Sequence, residues 1–576
     1  MILIVKQAGR EDVTAEAPDG STVMEALAGA GLRLDAPCGG VGRCGKCRLE
    51  ITGDLDEPGP AELKHVAGRP GERLACLARV RGRAEAILAG QSVFSAVKGL
   101  GWSAPYRVDP ALRRLELPER DRKDQKSVLD ALDLFSVSPS ALEALADLEA
   151  ERQAGDLLVW RDELLAAWPA GQGPAETLAA AFDLGTTGLA LAVLDLDNRG
   201  AVAFETALNP QTTAGGDVIS RITYAAEGPD NLRVLQDLAL QGLRDLLLAA
   251  LGPERAARVG AATISGNATM LHLLAGVNPK SLAQAPYRPI FTGMLDLSRL
   301  APRLGLAPWA KVLTPPSISA YVGGDIASGL LAVNLAERPG TVVFIDVGTN
   351  GEIVVSRDGR LAGASCAAGP ALEGMNISCG MRAVSGAMDS FRLVDGRRPE
   401  FTVIGGGEPV GVCGSGLVDV CSELVKAGVI DRTGRLKASP DAPELVVDGR
   451  CRLSEKVSLE QKDVRQVQLA KGAIAAAMQM LLERLELTLD DLDEVVVAGS
   501  FGYHLRPESL LGIGLLPKAY RGPVTFVGNS SLAGAARLLL DRSSHAEIEK
   551  LARRVEVIEL AFDPKFQDVF LSQLGF

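Results

Sequence analysis

The sequence Asp183-Leu-Gly-Thr-Thr-Gly188 decides the fold of most of this chain, because a near copy, Asp346-Val-Gly-Thr-Asn-Gly351, occurs later in it. A hydrophobic stretch precedes each copy and is typical of a buried strand. In each copy an aspartate leaves that strand, and the glycines let backbone N–H groups approach phosphate oxygens. The repetition predicts a duplicated pair of domains that holds the phosphates of a nucleotide from both sides.

These two hairpins supply the first candidate site residues. Asp183 is predicted to hold Mg²⁺ through water, and Asp346 is the equivalent carboxylate of the second copy. Hydroxyl and backbone groups of the hairpins are predicted to bind the phosphates of ATP. The residues concerned are Gly185, Thr186, Thr187, Gly348, Thr349 and Asn350.

Two glycine- and alanine-rich segments are predicted to be helices that connect the two domains. The first covers residues 321–330 and contains Asp325, and the second covers residues 528–536 and begins with Gly528 and Asn529. Small side chains are expected on both helices because the helices cross closely at a hinge. Taken alone, Asp325 also fits a simple anion at a helix N-terminus, worth under ~1 kcal/mol to the helix dipole.

A third segment, residues 496–502, is predicted to be a strand and turn that contact adenosine through Gly499 and Ser500. Each segment alone also fits a glycine turn that ends a buried strand, which is common in α/β proteins. All the segments together, in this order, predict an actin-like ATPase of the ASKHA class (acetate and sugar kinase, Hsp70, actin). The candidate catalytic carboxylates are Asp183, Asp325 and Asp346.

Four cysteines near the N-terminus, Cys38, Cys44, Cys47 and Cys76, have the spacing C-x5-C-x2-C-x28-C. Ferredoxins hold a [2Fe–2S] cluster with three thiolates from one glycine-rich loop and a fourth from a distant turn, because each iron needs two ligands. A structural zinc site is the alternative, but zinc usually takes two C-x2-C pairs and only one is present. The spacing therefore favours a [2Fe–2S] cluster.

The other five cysteines show no C-x2-C spacing. They are predicted to be small buried apolar residues rather than ligands. They are Cys366, Cys379, Cys413, Cys421 and Cys451.

The chain is predicted to fold as a multi-domain α/β protein, because 576 residues exceed what one hydrophobic core usually supports. Residues 1–91 are assigned to a β-grasp, ferredoxin-like domain, with Ser21 or Thr22 as the N-cap of its helix. Residues 92–122 are assigned to an extended linker, residues 123–174 to a small middle domain, and residues 175–576 to the two-lobed actin-like domain.

Charge and hydropathy exclude two classes of partner. A net charge of −12 argues against nonspecific binding of nucleic acid, which requires clustered Lys and Arg. The N-terminal residues turn polar too quickly for a secretory signal, and no run approaches the ~20 apolar residues needed to cross a bilayer. We therefore expect no nucleic-acid or membrane partner and a cytoplasmic location.

The combination of a ferredoxin-like N-terminus with an actin-like C-terminal half resembles the ATP-dependent reductive activators of corrinoid proteins. The resemblance covers nearly the whole chain. Further segments that look like this family are residues 265–272, 369–374, 379–381 and 414–419.

The resemblance implies a repair reaction with a corrinoid-binding methyltransferase protein as partner. Such an activator passes one electron from its cluster to a stalled Co(II) corrinoid and so restores Co(I), at the expense of ATP. The resemblance further implies an external electron donor and a homodimer formed through the actin-like half. Related activators carry cysteine-rich C-terminal segments, whereas residues 452–576 contain no cysteine, so the sole expected cluster is N-terminal.

Three other functions remain compatible with parts of the sequence. A small-molecule kinase would use Asp325 or Asp346 as base but leaves the cysteines unexplained. An Hsp70-like or actin-like scaffold lacks an evident substrate-binding β-domain or filament-forming insertion. In a nucleotide-regulated ferredoxin, the ATPase-like half would only sense nucleotide, and reduction of the partner would run equally well without ATP.

Overall fold

The computed structural model describes residues 1–7, 13–18, 20–29, 47–67, 70–88, 107–118, 126–198, 200–381, 383–438, 445–499 and 505–576. The predicted cluster ligands Cys38 and Cys44 and the predicted adenosine contact Ser500 lie outside these residues. No helix in these ranges combines the length and the apolarity needed to cross a membrane.

The N-terminal unit is a five-stranded sheet in the order β2-β1-β5-β3-β4, with β1 parallel to β5, and it confirms the predicted ferredoxin-like fold. Its helix α1 is capped by Thr22, whose Oγ1 accepts from the Glu25 N–H (3.2 Å) while the Glu25 carboxylate accepts from the Thr22 N–H (2.8 Å). The elements are β1 Ile2–Gln7, β2 Val13–Glu16, α1 Val23–Gly29, β3 Arg48–Leu55, α2 Pro60–Val66, β4 Glu72–Leu74 and β5 Val80–Leu88.

The middle unit is a four-stranded sheet in the order β6-β8-β9-β7, covered by one long helix. The structure corrects the extent of the linker, because residues 112–117 form a strand that pairs with residues 155–160 along its whole length. Leu112 and Leu117 are buried at its two ends, which holds this strand in the sheet. The elements are β6 Leu112–Leu117, α3 Val128–Ala131, β7 Ser136–Val137, α4 Pro139–Glu151, β8 Gly155–Trp160 and β9 Glu163–Pro169.

The first lobe of the actin-like half is a six-stranded sheet in the order β12-β11-β10-β13-β15-β14. The alanine-rich strand β10 lies at its centre and is buried on both faces. The elements are β10 Leu178–Leu184, β11 Gly188–Asp195, β12 Gly200–Leu208, α5 Val218–Ala226, α6 Pro229–Ala256, β13 Ala261–Gly266, α7 Ala268–Ala275, β14 Leu295–Asp296, α8 Ala301–Leu304, β15 Lys311–Thr314 and α9 Gly324–Ala332.

The second lobe contains a six-stranded sheet in the order β26-β25-β16-β17-β18-β27 and two small three-stranded sheets. The elements are β16 Thr341–Val347, β17 Gly351–Arg357, β18 Arg360–Cys366, β19 Ala387–Val394, β20 Arg398–Val403, β21 Gly411–Val412, α10 Gly414–Lys426, β22 Val446–Val447, β23 Arg450–Arg452, β24 Ser458–Leu459, α11 Gln461–Arg484, β25 Glu494–Ala498, α12 Pro507–Gly512, β26 Val524–Gly528, α13 Ser530–Leu540, α14 Ser544–Arg554, β27 Val555–Val557 and α15 Phe566–Ser572.

The two lobes share one topology, which confirms the duplication expected from the repeated motif. In the first lobe β10 is antiparallel to β11 and parallel to β13. In the second lobe β16 is antiparallel to β17 and parallel to β25. Each motif is therefore the hairpin between the central strand and its antiparallel neighbour.

The connecting helices α9 and α13 cross with their backbones nearly in contact. A Cβ on Gly534 would lie 2.0 Å from the backbone oxygen of Ser328, and a Cβ on Gly329 would lie 2.6 Å from the Oγ of Ser530. Any larger residue at these glycines must move one helix away from the other. The small residues seen in the sequence are thus required by the close crossing.

The middle unit packs against the hinge region rather than standing apart from it. Apolar residues of its sheet share one buried cluster with the first-lobe sheet and with α13. The Trp160 ring lies 5.7 Å from the His545 ring, and Arg161 contacts His545 Nδ1. Beyond the end of α13, Arg542 donates to Asp109 from its backbone N–H and from Nε, both at 2.9 Å. The segment that leads to the N-terminal unit is therefore anchored beside the second connecting helix.

Candidate functional site

Three predicted carboxylates meet between the two lobes. Asp183 stands near the end of β10, Asp346 near the end of β16, and Asp325 in the first turn of α9. All three side chains are half-buried. The carboxyl ends of the central strands therefore bring together residues that are far apart in the chain.

Burial and mutual repulsion make this group electrostatically unusual. Burial is the main cause that raises the pKa of Asp325 to about 7 and that of Asp346 to about 8. The charge of Asp183 adds to both shifts, and Asp325 adds to that of Asp346. Glu352, also half-buried, has its pKa raised by burial and by the charges of Asp325 and Asp346. The cleft therefore disfavours several ionised carboxylates at once and favours their protonation or a bound cation.

Asp183 is held by the start of the second connecting helix. Asn529 Nδ2 donates to one carboxylate oxygen and Ser531 Oγ to the other, each at 2.8 Å. Burial raises the pKa of Asp183, and these two hydrogen bonds oppose that rise. The N-cap of α13 is thus in direct contact with the first predicted phosphate-binding motif.

The first hairpin is shaped by residues from several elements. A Cβ on Gly185 would lie 2.7 Å from the Gly188 oxygen, so the turn is too tight for a side chain there. Asn267 Nδ2 donates to Thr186 Oγ1 (3.0 Å), and Arg221 Nη2 donates to the Thr186 carbonyl (2.5 Å). The backbone carbonyl of Thr187 accepts from the Asn209 N–H (2.9 Å). These contacts hold the hairpin in place without any ligand.

The second hairpin has fewer such supports. Thr349 Oγ1 donates to Glu373 Oε2 (2.9 Å), and the Gly348 N–H donates to the Asn350 carbonyl (3.0 Å). Asn350 is exposed at the tip. The structure therefore places the residues of both predicted hairpins at the same cleft.

The predicted adenosine-contacting turn begins next to the second hairpin. Gly499 has a φ of +118°, and a Cβ there would lie 2.5 Å from the Val347 oxygen. Its N–H donates to the Gly528 oxygen (3.0 Å), and Gly528 has a φ of +64°. Three strand ends therefore lie side by side here, which in open α/β sheets is the edge where ligands bind.

Several site residues were missed by sequence reasoning because they act on the hairpins from other elements. Asn267, Glu373 and Ser531 lie in segments 265–272, 369–374 and 528–536, but nothing in those segments indicates the contacts that these side chains make. Arg221 and Glu352 carry no local signature, since an arginine or a glutamate is common on any helix or strand. The missed residues are Arg221, Asn267, Glu352, Glu373 and Ser531.

In the N-terminal unit the two predicted cluster ligands that the structure describes lie together. Cys47 precedes β3 and Cys76 follows β4, and the antiparallel pairing of Arg48 with Leu74 brings their sulfurs to 3.2 Å. Both thiols are buried. Converging thiols from two distant segments suit the donor set of an iron–sulfur cluster.

The remaining cysteines follow the expectation for small apolar residues in four cases of five. Cys366, Cys413, Cys421 and Cys451 are buried in the second lobe, and Cys379 is half-buried. Within the described ranges, no three His, Cys, Asp or Glu side chains stand close enough to hold a metal ion directly.

Three family models match successive parts of the chain. Residues 6–81 match the 2Fe-2S iron-sulfur cluster binding domain, and residues 178–338 match the RACo middle region. Residues 340–576 match the C-terminal domain of RACo, the ASKHA domain. The last two models meet between α9 and β16, where the first lobe passes into the second.

Full-length similarity agrees with these matches. The corrinoid activation enzyme RamQ of Eubacterium limosum is 29% identical over 96% of this chain and 96% of its own. The [Co(II) methylated amine-specific corrinoid protein] reductase of Methanosarcina barkeri is 24% identical over 69% of this chain and 76% of its own. The solved structure of a reductive activator for corrinoid, iron-sulfur protein superposes with a TM-score of 0.76 at 28% identity, covering 100% of this chain and 98% of that one. The chain therefore belongs to the RACo family of reductive activators of corrinoid proteins.

Proposed function

We propose that this chain reactivates a corrinoid protein by passing one electron from a [2Fe–2S] cluster to Co(II), restoring Co(I) in a reaction driven by ATP. One observation carries the proposal. The same chain joins converging cluster cysteines, Cys47 and Cys76, to a two-lobed cleft lined by Asp183, Asp325 and Asp346. A kinase or a scaffold does not require the cysteine pair, and a simple ferredoxin does not require the acidic cleft.

The cluster is assigned to Cys38, Cys44, Cys47 and Cys76. When bound, it would supply one electron at a time, which matches the single-electron step from Co(II) to Co(I). The buried position of Cys47 and Cys76 limits access of water to that side of the site. An external electron donor would reload the domain after each reaction.

The cleft is assigned to ATP and Mg²⁺. The two hairpins would bind phosphates through Gly185, Thr186 and Thr187 on one side and Gly348, Thr349 and Asn350 on the other. Gly499, Ser500, Gly528 and Asn529 would lie towards the nucleoside. Because no three described acidic side chains converge at ligating distance, Asp183 and its neighbours would hold Mg²⁺ mainly through water, as the ion's reluctance to lose water favours.

Energy is needed because Co(I) is hard to form with an ordinary cluster as donor. Each ~59 mV of shortfall in a one-electron step costs about 1.4 kcal/mol. A partner that binds one lobe angle more tightly is linked to the nucleotide state by the same free energy. We infer that docking and ATP binding together raise the cobalt potential, and that hydrolysis releases the partner.

The partner surface is assigned to the region of residues 365–379, which begins at the end of β18. Glu352, which accepts from Ser365 Oγ (3.0 Å), connects the start of this region to the acidic group. A change of charge in the cleft would therefore alter the Glu352–Ser365 hydrogen bond at the edge of this surface. A homodimer through the actin-like half and a cytoplasmic location complete the proposal.

The test is anaerobic turnover with a trap for the product. Chemically reduced protein is mixed with a Co(II) corrinoid methyltransferase and S-adenosylmethionine, with or without Mg-ATP, and methyl-Co(III) absorbance is followed. We expect methyl-cobalt only with ATP, and none with Cys44→Ala or Asp346→Ala. Cys451→Ala, a buried cysteine outside the cluster, is the matched control and should remain active. Equal rates with and without ATP would favour a nucleotide-regulated ferredoxin instead.

A further inference from the structure

The hydroxyl of Ser531 is the last member of a buried chain of hydrogen bonds that ends on Asp183. Ser531 Oγ donates to Asp183 Oδ1 at 2.8 Å and lies 3.0 Å from Ser265 Oγ. Ser265 Oγ lies 3.1 Å from Ser328 Oγ and 3.2 Å from the Gly324 carbonyl. The three serines are almost completely buried, with exposures of 6% for Ser531 and 0% for the other two.

The chemistry of hydroxyl groups determines which group donates to Asp183. A serine has one O–H proton, and an ionised carboxylate only accepts. The proton of Ser531 therefore goes to Asp183, and the Ser265 hydroxyl is the buried polar neighbour of Ser531 on its other side. The carboxylate thus depends on Ser531 for one of its two oxygens and on Asn529 for the other.

This series of hydrogen bonds joins four different elements at the hinge. Asp183 ends β10, Ser265 lies on β13, Ser328 on α9 and Ser531 on α13. Since α9 and α13 cross nearly in backbone contact, a change in their crossing moves Ser531 relative to Asp183. The orientation of the phosphate-site carboxylate is therefore tied to the positions of both connecting helices.

We propose that Ser531 is a positioning residue for ATP hydrolysis, which holds the Asp183 carboxylate in its working orientation and makes that orientation depend on the lobe angle. The proposal rests on the assignment of this cleft to Mg-ATP. Ser531 itself acts only through Asp183.

The neighbouring residue supplies a matched control. Ser530 is also a buried serine in the first turn of α13, with 1% exposure. Within the part of the chain that the structure describes, its Oγ has no hydrogen-bond partner. Ser530→Ala and Ser531→Ala therefore remove the same atom from adjacent buried positions, but only the second removes a hydrogen bond to Asp183.

The first measurement is ATP hydrolysis in the presence of the corrinoid partner. A hydrogen bond to a charged group is strong enough that its loss should lower kcat about tenfold in Ser531→Ala. We expect the KM for ATP to change less than about twofold, because the Ser531 hydroxyl is buried and donates its proton to Asp183. The Mg²⁺ concentration for half-maximal rate should rise, and calorimetry without turnover should show weaker Mg-ADP binding. Ser530→Ala should match the wild type in all four quantities.

A double-mutant cycle separates positioning from a general structural effect. In the Asp183→Asn background, Ser531→Ala should cause no further loss of kcat, since its only target is already changed. Independent, multiplicative losses, or equal behaviour of Ser530→Ala and Ser531→Ala, would overturn the proposal. If Ser531→Ala does not fold, Ser265→Ala removes the hydroxyl that contacts Ser531 and tests the same series of hydrogen bonds. A wild-type protein that neither hydrolyses ATP nor binds Mg-ADP would instead contradict the assignment of the cleft.

Discussion

The carboxylate of Asp183 accepts a hydrogen bond of 2.8 Å from the side-chain amide of Asn529, which stands 346 residues later in the chain. The same amide accepts from the Leu532 N–H at 2.9 Å and so caps α13. One side chain therefore joins the first hairpin to the helix that enters from the second lobe. The orientation of Asp183 depends on the position of α13.

Changing Asn529 to aspartate tests that link directly. Asn529→Asp keeps the oxygen that caps α13 but replaces the N–H donor with a second carboxylate facing Asp183. We expect the free energy of unfolding of the nucleotide-free protein to fall by ~1–3 kcal/mol at pH 8, because Asp183 loses a partner and gains a like charge. Urea denaturation measures this value.

Asn278 offers a control for the Asn529 variant. Its side chain also caps a short helix, accepting from the Lys280 N–H at 3.0 Å, and its amide donates to the Ala225 carbonyl at 3.3 Å, but the residue is exposed and no carboxylate accepts from it. Asn278→Asp should change stability by less than about 0.5 kcal/mol. Equal effects of the two substitutions would show that the Asp183–Asn529 contact contributes nothing specific.

The close crossing of the connecting helices predicts a severe effect of one methyl group. Gly534→Ala would place a Cβ 2.0 Å from the Ser328 carbonyl oxygen, so the helices must separate. We expect a loss of ~1–3 kcal/mol from overpacking, despite the better helix propensity of alanine, together with slower ATP hydrolysis. Gly293→Ala, where nothing lies within 4 Å of the new Cβ, should be tolerated. Thermal unfolding of both variants distinguishes these outcomes.

The contact between the middle unit and α14 predicts a pH dependence. Burial lowers the pKa of His545 to about 4, against about 6.5 in an unfolded chain. The stability that depends on neutral His545 is therefore complete above about pH 6.5 and is lost as the pH falls through about 4. The full loss is up to about 3 kcal/mol.

His545→Gln isolates this effect from the acidic cleft, whose raised carboxyl pKa values change stability in the opposite direction. The amide can still donate to the Leu538 carbonyl, which lies 2.7 Å from His545 Nε2. Between pH 7 and pH 4, the wild type should lose stability relative to His545→Gln. A constant difference between the two proteins over this range would mean that His545 does not titrate as described.

The cluster assignment predicts different results for two buried cysteines. Cys47→Ala removes a thiol that lies 3.2 Å from that of Cys76 and should abolish the visible absorbance of the iron–sulfur domain and most of its bound iron. Cys451→Ala removes a buried thiol of the second lobe and should leave both unchanged. Iron analysis and absorbance after anaerobic reconstitution measure this, and full iron content in Cys47→Ala would rule out the assigned ligand set.

Much of the fold could be predicted because the relevant signals are local. The repeated aspartate and glycine motifs mark where β10 and β16 end, and the small residues of α9 and α13 mark the crossing. The linker boundary was wrong, because the short alternation around Leu115 fits both an extended segment and a strand. Only the pairing with β8 decides between them.

The candidate site was only partly predictable, because some of its residues are defined by tertiary contacts rather than by local sequence. Asp183, Asp325 and Asp346 stand in recognisable motifs, whereas Ser531 and Arg221 gain their roles from contacts with residues distant in sequence. Arg221 is a completely buried cation whose pKa is lowered to about 10 by burial, and its place against the Thr186 carbonyl follows only from the packing of α5. Tertiary contacts of this kind leave no mark in a single sequence.

The most direct test of the account is rapid-freeze electron paramagnetic resonance of the reduced protein mixed with a Co(II) corrinoid protein. The reduced cluster and Co(II) each carry one unpaired electron, and both signals vanish when one electron passes between them. We expect the two signals to disappear together, one for one, and only when Mg-ATP is present. Loss of both signals at the same rate without ATP, or loss of Co(II) while the cluster signal persists, would contradict it.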